Sequence, residues 1–266
     1  MSRSGNFLKN FETMVKDNLS PSAKKIIGAI LFLIVVGILS FYVFAIRGIG
    51  IIYKLNEDGE SYRVEKMGIS FETDVLIPAQ YKDLPVTAVG KNAFSGCKNL
   101  KSIILPDTIE SIGAGAFSDC KSLEAIEIPY AVTVIEDGAF KNCESLKYVQ
   151  MGNDVTSIGA DAFSRCRALT SFALPKKLSS IGKGTFIGCS KLESINIPYE
   201  VVYIGQYAFD SCHALDEVYF YNPEHWRLDG RLLSYLDLQD PEVAAKYLTE
   251  EYSNYEWKGM VPPELW

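Results

Sequence analysis

Residues 109–131 read Ile-Glu-Ser-Ile-Gly-Ala-Gly-Ala-Phe-Ser-Asp-Cys-Lys-Ser-Leu-Glu-Ala-Ile-Glu-Ile-Pro-Tyr-Ala, and the same pattern starts again at Val132. All six cysteines of the 266-residue chain lie on this period: Cys97, Cys120, Cys143, Cys166, Cys189 and Cys212 are 23 residues apart. A fixed period of this length marks a repeat architecture, in which each unit stacks on the next.

Other columns run with the cysteines. Phe94, Phe117, Phe140, Phe163, Phe186 and Phe209 stand three residues before them, and Leu100, Leu123, Leu146, Leu169, Leu192 and Leu215 three after. Then come pairs such as Ile103/Leu105, Ile126/Ile128 and Ile195/Ile197, usually followed by proline (Pro106, Pro129, Pro175, Pro198), with Gly152 as the exception. Apolar residues two apart point to one face of a short strand. The proline ends the strand's hydrogen bonding. A further column, Val89, Ile112, Ile135, Ile158, Ile181 and Ile204, is mostly followed by glycine, suited to a tight corner with φ above zero. No coil buries its apolar columns alone; stacking does so.

The A-F-x-x-C-x-x-L-x-x-I-x-L-P pattern resembles the BspA-like bacterial leucine-rich repeat over about residues 51–258. Thr185 in the alanine column and Gly152 in the proline column are mild departures. The resemblance implies a right-handed leucine-rich-repeat coil of short parallel strands and turns. It also implies an interaction or adhesion module rather than an enzyme, and carries over no ligand.

Ahead of the repeats, residues 26–46 contain no charged side chain. At about 1.5 Å per residue they reach roughly 30 Å, the thickness of a bilayer's hydrocarbon core. The run is too long for a cleaved signal peptide. It predicts a transmembrane helix serving as a permanent anchor. Lys24 and Lys25 favour a cytoplasmic N-terminus and an extracytoplasmic repeat domain. Residues 1–25 carry a net charge of +3, which leaves −10 of the total −7 for the remainder. The amphipathic set Phe7, Leu8, Phe11 and Val15 is a plain tether or a surface-lying helix.

The expected organisation is therefore a cytoplasmic segment 1–25, a transmembrane helix 26–46, an N-terminal cap 47–85, a solenoid of about six repeats over 86–220, and a helical C-terminal cap 221–266. Asp58-Gly59 predicts a hairpin in the first cap. In the last, Asp240 is the expected N-cap, Pro241 the first helical residue, and Val243, Tyr247 and Leu248 one face. Tyr252, Tyr255, Trp257 and Trp266 are expected to seal the last coil or to dock a partner.

No catalytic, cofactor or metal site is expected. No phosphate loop, HExxH helix or nucleophile elbow occurs, and only His213 and His225 supply imidazole. The acidic balance excludes a nucleic-acid binder, and no small-molecule substrate is expected. The cysteines read as free buried thiols; disulfides between neighbouring coils and a metal site are the alternatives.

Binding on a solenoid falls to outward positions. The residues between the strand apolars are Ile104, Glu127, Gln150, Ala173, Asn196 and Tyr219; two before them stand Ser102, Ala125, Tyr148, Ser171, Ser194 and Glu217. These form the candidate protein-binding face. Asp107, Tyr130, Asn153, Lys176 and Tyr199 form a second row. The expected function is a membrane-anchored, outward-facing module for protein recognition or adhesion; the alternative is a structural subunit of a membrane complex.

Overall fold

The computed structural model describes residues 50–68, 73–224 and 226–259. From Ile51 onward the chain forms one compact unit, a β-solenoid of about seven turns. The expected transmembrane helix is corrected here: among the described residues no helix is long and apolar enough to cross a membrane. Residues 26–46 and the head 1–25 lie outside the described residues, as do His225 and Trp266.

The N-terminal cap begins with the hairpin β1 (Ile51–Leu55) and β2 (Tyr62–Met67), antiparallel as Asp58-Gly59 predicts, with Gly59 at φ 70°. Next come β3 (Asp74–Leu76) and a second hairpin, β4 (Gln80–Tyr81) with β5 (Leu84–Val89). Its turn residues Lys82 and Asp83 both have positive φ, 50° and 65°.

The repeats contribute two sets of strands. One set, on the I-x-L motif, is β6 (Ser102–Ile104), β8 (Ala125–Glu127), β10 (Tyr148–Gln150), β13 (Ser194–Ile197) and β15 (Glu217–Phe220). The other set, on the residues before the glycine column, is β7 (Ser111–Ile112), β9 (Val134–Ile135), β11 (Ser157–Ile158), β12 (Ser180–Ile181) and β14 (Tyr203–Ile204). The long sheet runs through the second set: β2, β5, β7, β9, β11, β12 and β14 follow one another in parallel within a 12-stranded sheet. The I-x-L strands instead pair as three two-stranded pieces, β3 with β6, β8 with β10 and β13 with β15.

The I-x-L ladder breaks twice, between β6 and β8 and between β10 and β13; at the second break Phe172 stands in the column otherwise filled by isoleucine or valine. Its ring is wedged edge-on between Phe163 and Phe186, 4.8 Å from each. Those two rings are 5.7 Å apart, against 5.2 Å for Phe94 and Phe117. At this break the isolated bridge Ser171–Ser194 remains.

The core is a set of columns. The Phe94-to-Phe209 rings are fully buried and stack with interplanar angles of 5° to 13°. The glycine column needs a different explanation from the expected positive φ. Gly113, Gly159, Gly182 and Gly205 are not left-handed; they lack room. A Cβ on Gly182 would lie 2.5 Å from the Gly159 carbonyl carbon. The left-handed residues are elsewhere, in two further columns, for example Gly115 and Asp119, or Gly138 and Asn142.

Five cysteines are buried, and each thiol donates to the carbonyl of a column phenylalanine one coil back. Cys120 Sγ reaches Phe94 O at 3.1 Å, Cys143 reaches Phe117 O at 3.2 Å, and Cys166 reaches Phe140 O at 3.3 Å. Burial pushes the Cys143 and Cys212 thiols up to about 12. All six cysteines are free thiols, and Cys97, in the first coil, is half-buried.

The C-terminal cap is mixed rather than helical. Strands β16 (Arg227–Leu228) and β17 (Arg231–Leu232) are followed by helices α1 (Tyr235–Gln239) and α2 (Pro241–Lys246), a π turn at Tyr247–Glu251, and β18 (Trp257–Lys258). Strand β18 extends the long sheet between β14 and β16, antiparallel to both, and β17 lies at its edge. Asp240 caps α2 as expected, accepting from Glu242 N at 3.1 Å. The buried residues of this segment are Ala244, Ala245 and Leu248, with Val243 and Tyr247 half-buried, so the inward face is centred on the two alanines rather than on Val243. Trp226 and Trp257 cover the last coil, their ring centroids 5.3 and 6.1 Å from Phe220.

Candidate protein-recognition face

Strand alternation decides which side chains are available. Ile103, Ile126 and Ile195 point inward, so their neighbours point out. Of the twelve face residues, Ser194 is half-buried; Ser102, Ile104, Ala125, Glu127, Tyr148, Gln150, Ser171, Ala173, Asn196, Glu217 and Tyr219 are exposed. Register brings them together in pairs: Tyr148 beside Ala125, Gln150 beside Glu127, Ser194 beside Glu217, and Asn196 beside Tyr219. Polar contacts cross the coils. Gln150 Nε2 donates to Glu127 Oε1 at 3.4 Å, and Lys147 Nζ to Glu124 Oε2 at 2.9 Å. Tyr219 OH donates to Glu217 Oε2 at 2.8 Å, which raises the phenol's pKa.

The face is not uniform. At its N-terminal end it is apolar, and the structure adds a residue the sequence reading left in the cap. Leu76, 66% exposed, lies in register with Ile104, 62% exposed. Its signal in the sequence was Val75-x-Ile77-Pro78, an I-x-L-P unit displaced by an insertion. Beside this pair, Asp74 accepts from Ser102 Oγ at 2.6 Å and from Thr73 Oγ1, bonds that lower its pKa. In the middle Tyr148 is 68% exposed. At the C-terminal end Tyr219 opens into a cleft of about 530 Å³ lined also by Phe220, Tyr221, Pro223, Tyr235 and Leu238.

The second row is separate. Asp107, Tyr130, Asn153, Lys176 and Tyr199 are all exposed. Tyr130 explains the Gly152 exception, since its ring lies where a residue-152 Cβ would come within 2.9 Å of Cδ1.

Six copies of the BspA type leucine rich repeat region match residues 87–216. Among solved structures, the chain is similar to a T. pallidum leucine rich repeat protein at 26% identity and a TM-score of 0.46, over 63% of this chain and 67% of that one. A leucine rich cell surface protein from Faecalibacterium prausnitzii A2-165 shares 27% identity at a TM-score of 0.55, over 66% of this chain and 54% of that one. A leucine-rich repeat protein from Bacteroides ovatus ATCC 8483 shares 26% identity at a TM-score of 0.47, over 65% and 61%. The chain therefore spans about half to two thirds of these relatives. No curated protein sequence matches it. Proteins with this repeat are typically non-enzymatic and generally bind protein partners. The matched residues are the stacked coils themselves, and residues 87–216 are a BspA-type leucine-rich repeat region.

Proposed function

We propose that this chain recognises another protein through the outward side chains of its I-x-L strands, and that it does so as an adhesion module facing the outside of the cell. The row of exposed apolar and tyrosyl side chains, from Leu76 and Ile104 through Tyr148 to Tyr219, carries the reading. Large side chains held on a rigid strand scaffold contribute buried area at low entropic cost, and tyrosine adds a hydroxyl. The outward location is supported by the Faecalibacterium relative, which is described as a cell surface protein. The polar pairs Gln150–Glu127 and Tyr219–Glu217 would form the rim of such an interface.

Photo-crosslinking tests this. A benzophenone amino acid replacing Tyr148 or Tyr219, in cells producing the full chain, should give a discrete adduct with a second protein. The same residue replacing Lys176, on the second row, should give none. Adducts from position 176 alone would reject the strand face.

A further inference from the structure

Away from the strand face, on the turns between the Phe and Leu columns, lies a small cleft of about 300 Å³. Its polar lining is Arg165, Arg167, Ser190, Ser211 and His213. Two arginines in one concavity are unusual on a chain of net charge −7.

The backbone makes Arg165 the informative residue. It occupies the column just before the cysteines, where every coil is left-handed: Gly96 at φ 76°, Asp119 at 60°, Asn142 at 61°, Gly188 at 73° and Ser211 at 59°. Arg165 holds φ 59° with a long side chain, where glycine, asparagine and aspartate are the residues that tolerate the conformation. Among the described residues the Arg165 guanidinium makes no ion pair with a carboxylate. Arg167 is weakly held. It approaches Glu144 at 3.5 Å, while Lys121 holds the same carboxylate at 2.9 Å. The backbone reason is shared with the column, since Arg165 N–H donates to Ile187 O of the next coil at 2.8 Å; what is particular to this coil is that the position places a guanidinium on the cleft.

We infer that this cleft binds a single tetrahedral oxyanion, phosphate or sulfate, free or as the monoester of a small molecule. Guanidinium groups present planar forks of donors that match oxyanion geometry, and the Ser190 hydroxyl adds a further donor. The cleft has room for such a group together with the small organic part of a monoester. Extended polyanions are disfavoured, because Ser211 and His213 also line an adjoining cleft that carries Asp210, Asp216, Glu242 and Glu250. Ser211 Oγ already donates to Asp210 at 2.9 Å, so the arginines supply the main attraction.

Calorimetric titration of the full chain with inorganic phosphate, inorganic sulfate, phenyl phosphate and acetate tests the inference. Phosphate or sulfate should bind at least tenfold more tightly than acetate. Tighter binding of phenyl phosphate than of phosphate would identify the monoester as the ligand form; equal binding would identify the free ion. Arg165→Gln with Arg167→Gln should weaken binding at least tenfold, and Lys176→Gln should leave it unchanged. Arg165→Gly should weaken binding while raising the urea midpoint of unfolding, so loss of affinity cannot be ascribed to misfolding. Absence of oxyanion binding at millimolar concentration, or unchanged affinity in the double variant, would overturn the inference.

Discussion

Replacing Phe140 by alanine removes the central ring of a stacked column. Phe140 is fully buried, and its ring lies 5.3 Å from Phe117 and 5.2 Å from Phe163, with interplanar angles of 5° and 6°. Truncating a buried phenylalanine costs about 3–5 kcal/mol through lost burial and the cavity left behind. The upper half of that range is expected here, since each aromatic neighbour adds roughly 0.5–1.5 kcal/mol beyond area, and the backbone ladder Phe140 N to Ala162 O prevents collapse into the gap. Solenoid stability is nearly a sum of coil and neighbour terms, so the variant should also lose cooperativity between the coils on either side. Urea unfolding followed by far-ultraviolet circular dichroism measures both: the midpoint should fall and the transition broaden. Tyr148→Ala, on the surface, should change stability by less than about 0.5 kcal/mol. A loss under about 1 kcal/mol for Phe140→Ala would mean the columns are wrongly aligned.

Three further predictions follow from the same columns. Stability should fall as pH rises above about 8.5, where the unfolded thiols ionise, and continue falling toward about 12, the raised value of Cys143 and Cys212. Protonated thiols are the folded form, so the contribution is complete below about 8.5, and each buried cysteine then loses about 1.4 kcal/mol per pH unit. Urea midpoints at pH 7.5, 9 and 10.5 check the slope, which Cys143→Ala should make shallower; no slope would refute buried thiols. At pH 7.5 Cys143→Ala should itself cost about 1–2 kcal/mol, losing packing and the bond to Phe117 O, which the Cys120 N–H still satisfies. Gly182→Ala should cost at least about 2 kcal/mol by backbone collision, although alanine ordinarily improves on glycine; a neutral result by thermal denaturation would contradict the close coil approach.

How much was legible depended on whether a residue's role repeats. The Phe, Leu and Ile columns recur at 23 residues, so the core and outward positions could be read directly. The long sheet escaped notice because its repeat strands are two residues each, too short for an alternation signal, as in Ser111–Ile112. The thiol–carbonyl bonds were invisible because cysteine in a core column looks like any small apolar residue. The turn at Lys82 and Asp83 carries two positive φ values without the usual asparagine or glycine. Leu76 was missed because the insertion before Val86 put its unit off the period. Arg165 breaks its column, but that column becomes visible only with φ angles in hand. The transmembrane reading of 26–46 found no counterpart among the described residues.

The central claim is that recognition resides on the outward side chains of the I-x-L strands. The most direct test is the equilibrium affinity of the crosslinked partner, once identified, for the full chain and for two matched variants. Tyr148→Ala with Tyr219→Ala should weaken binding at least tenfold while leaving the urea midpoint unchanged. Tyr130→Ala with Tyr199→Ala, on the second row, should leave affinity within about twofold. The opposite pattern, loss from the second row and none from the strand face, would contradict the account.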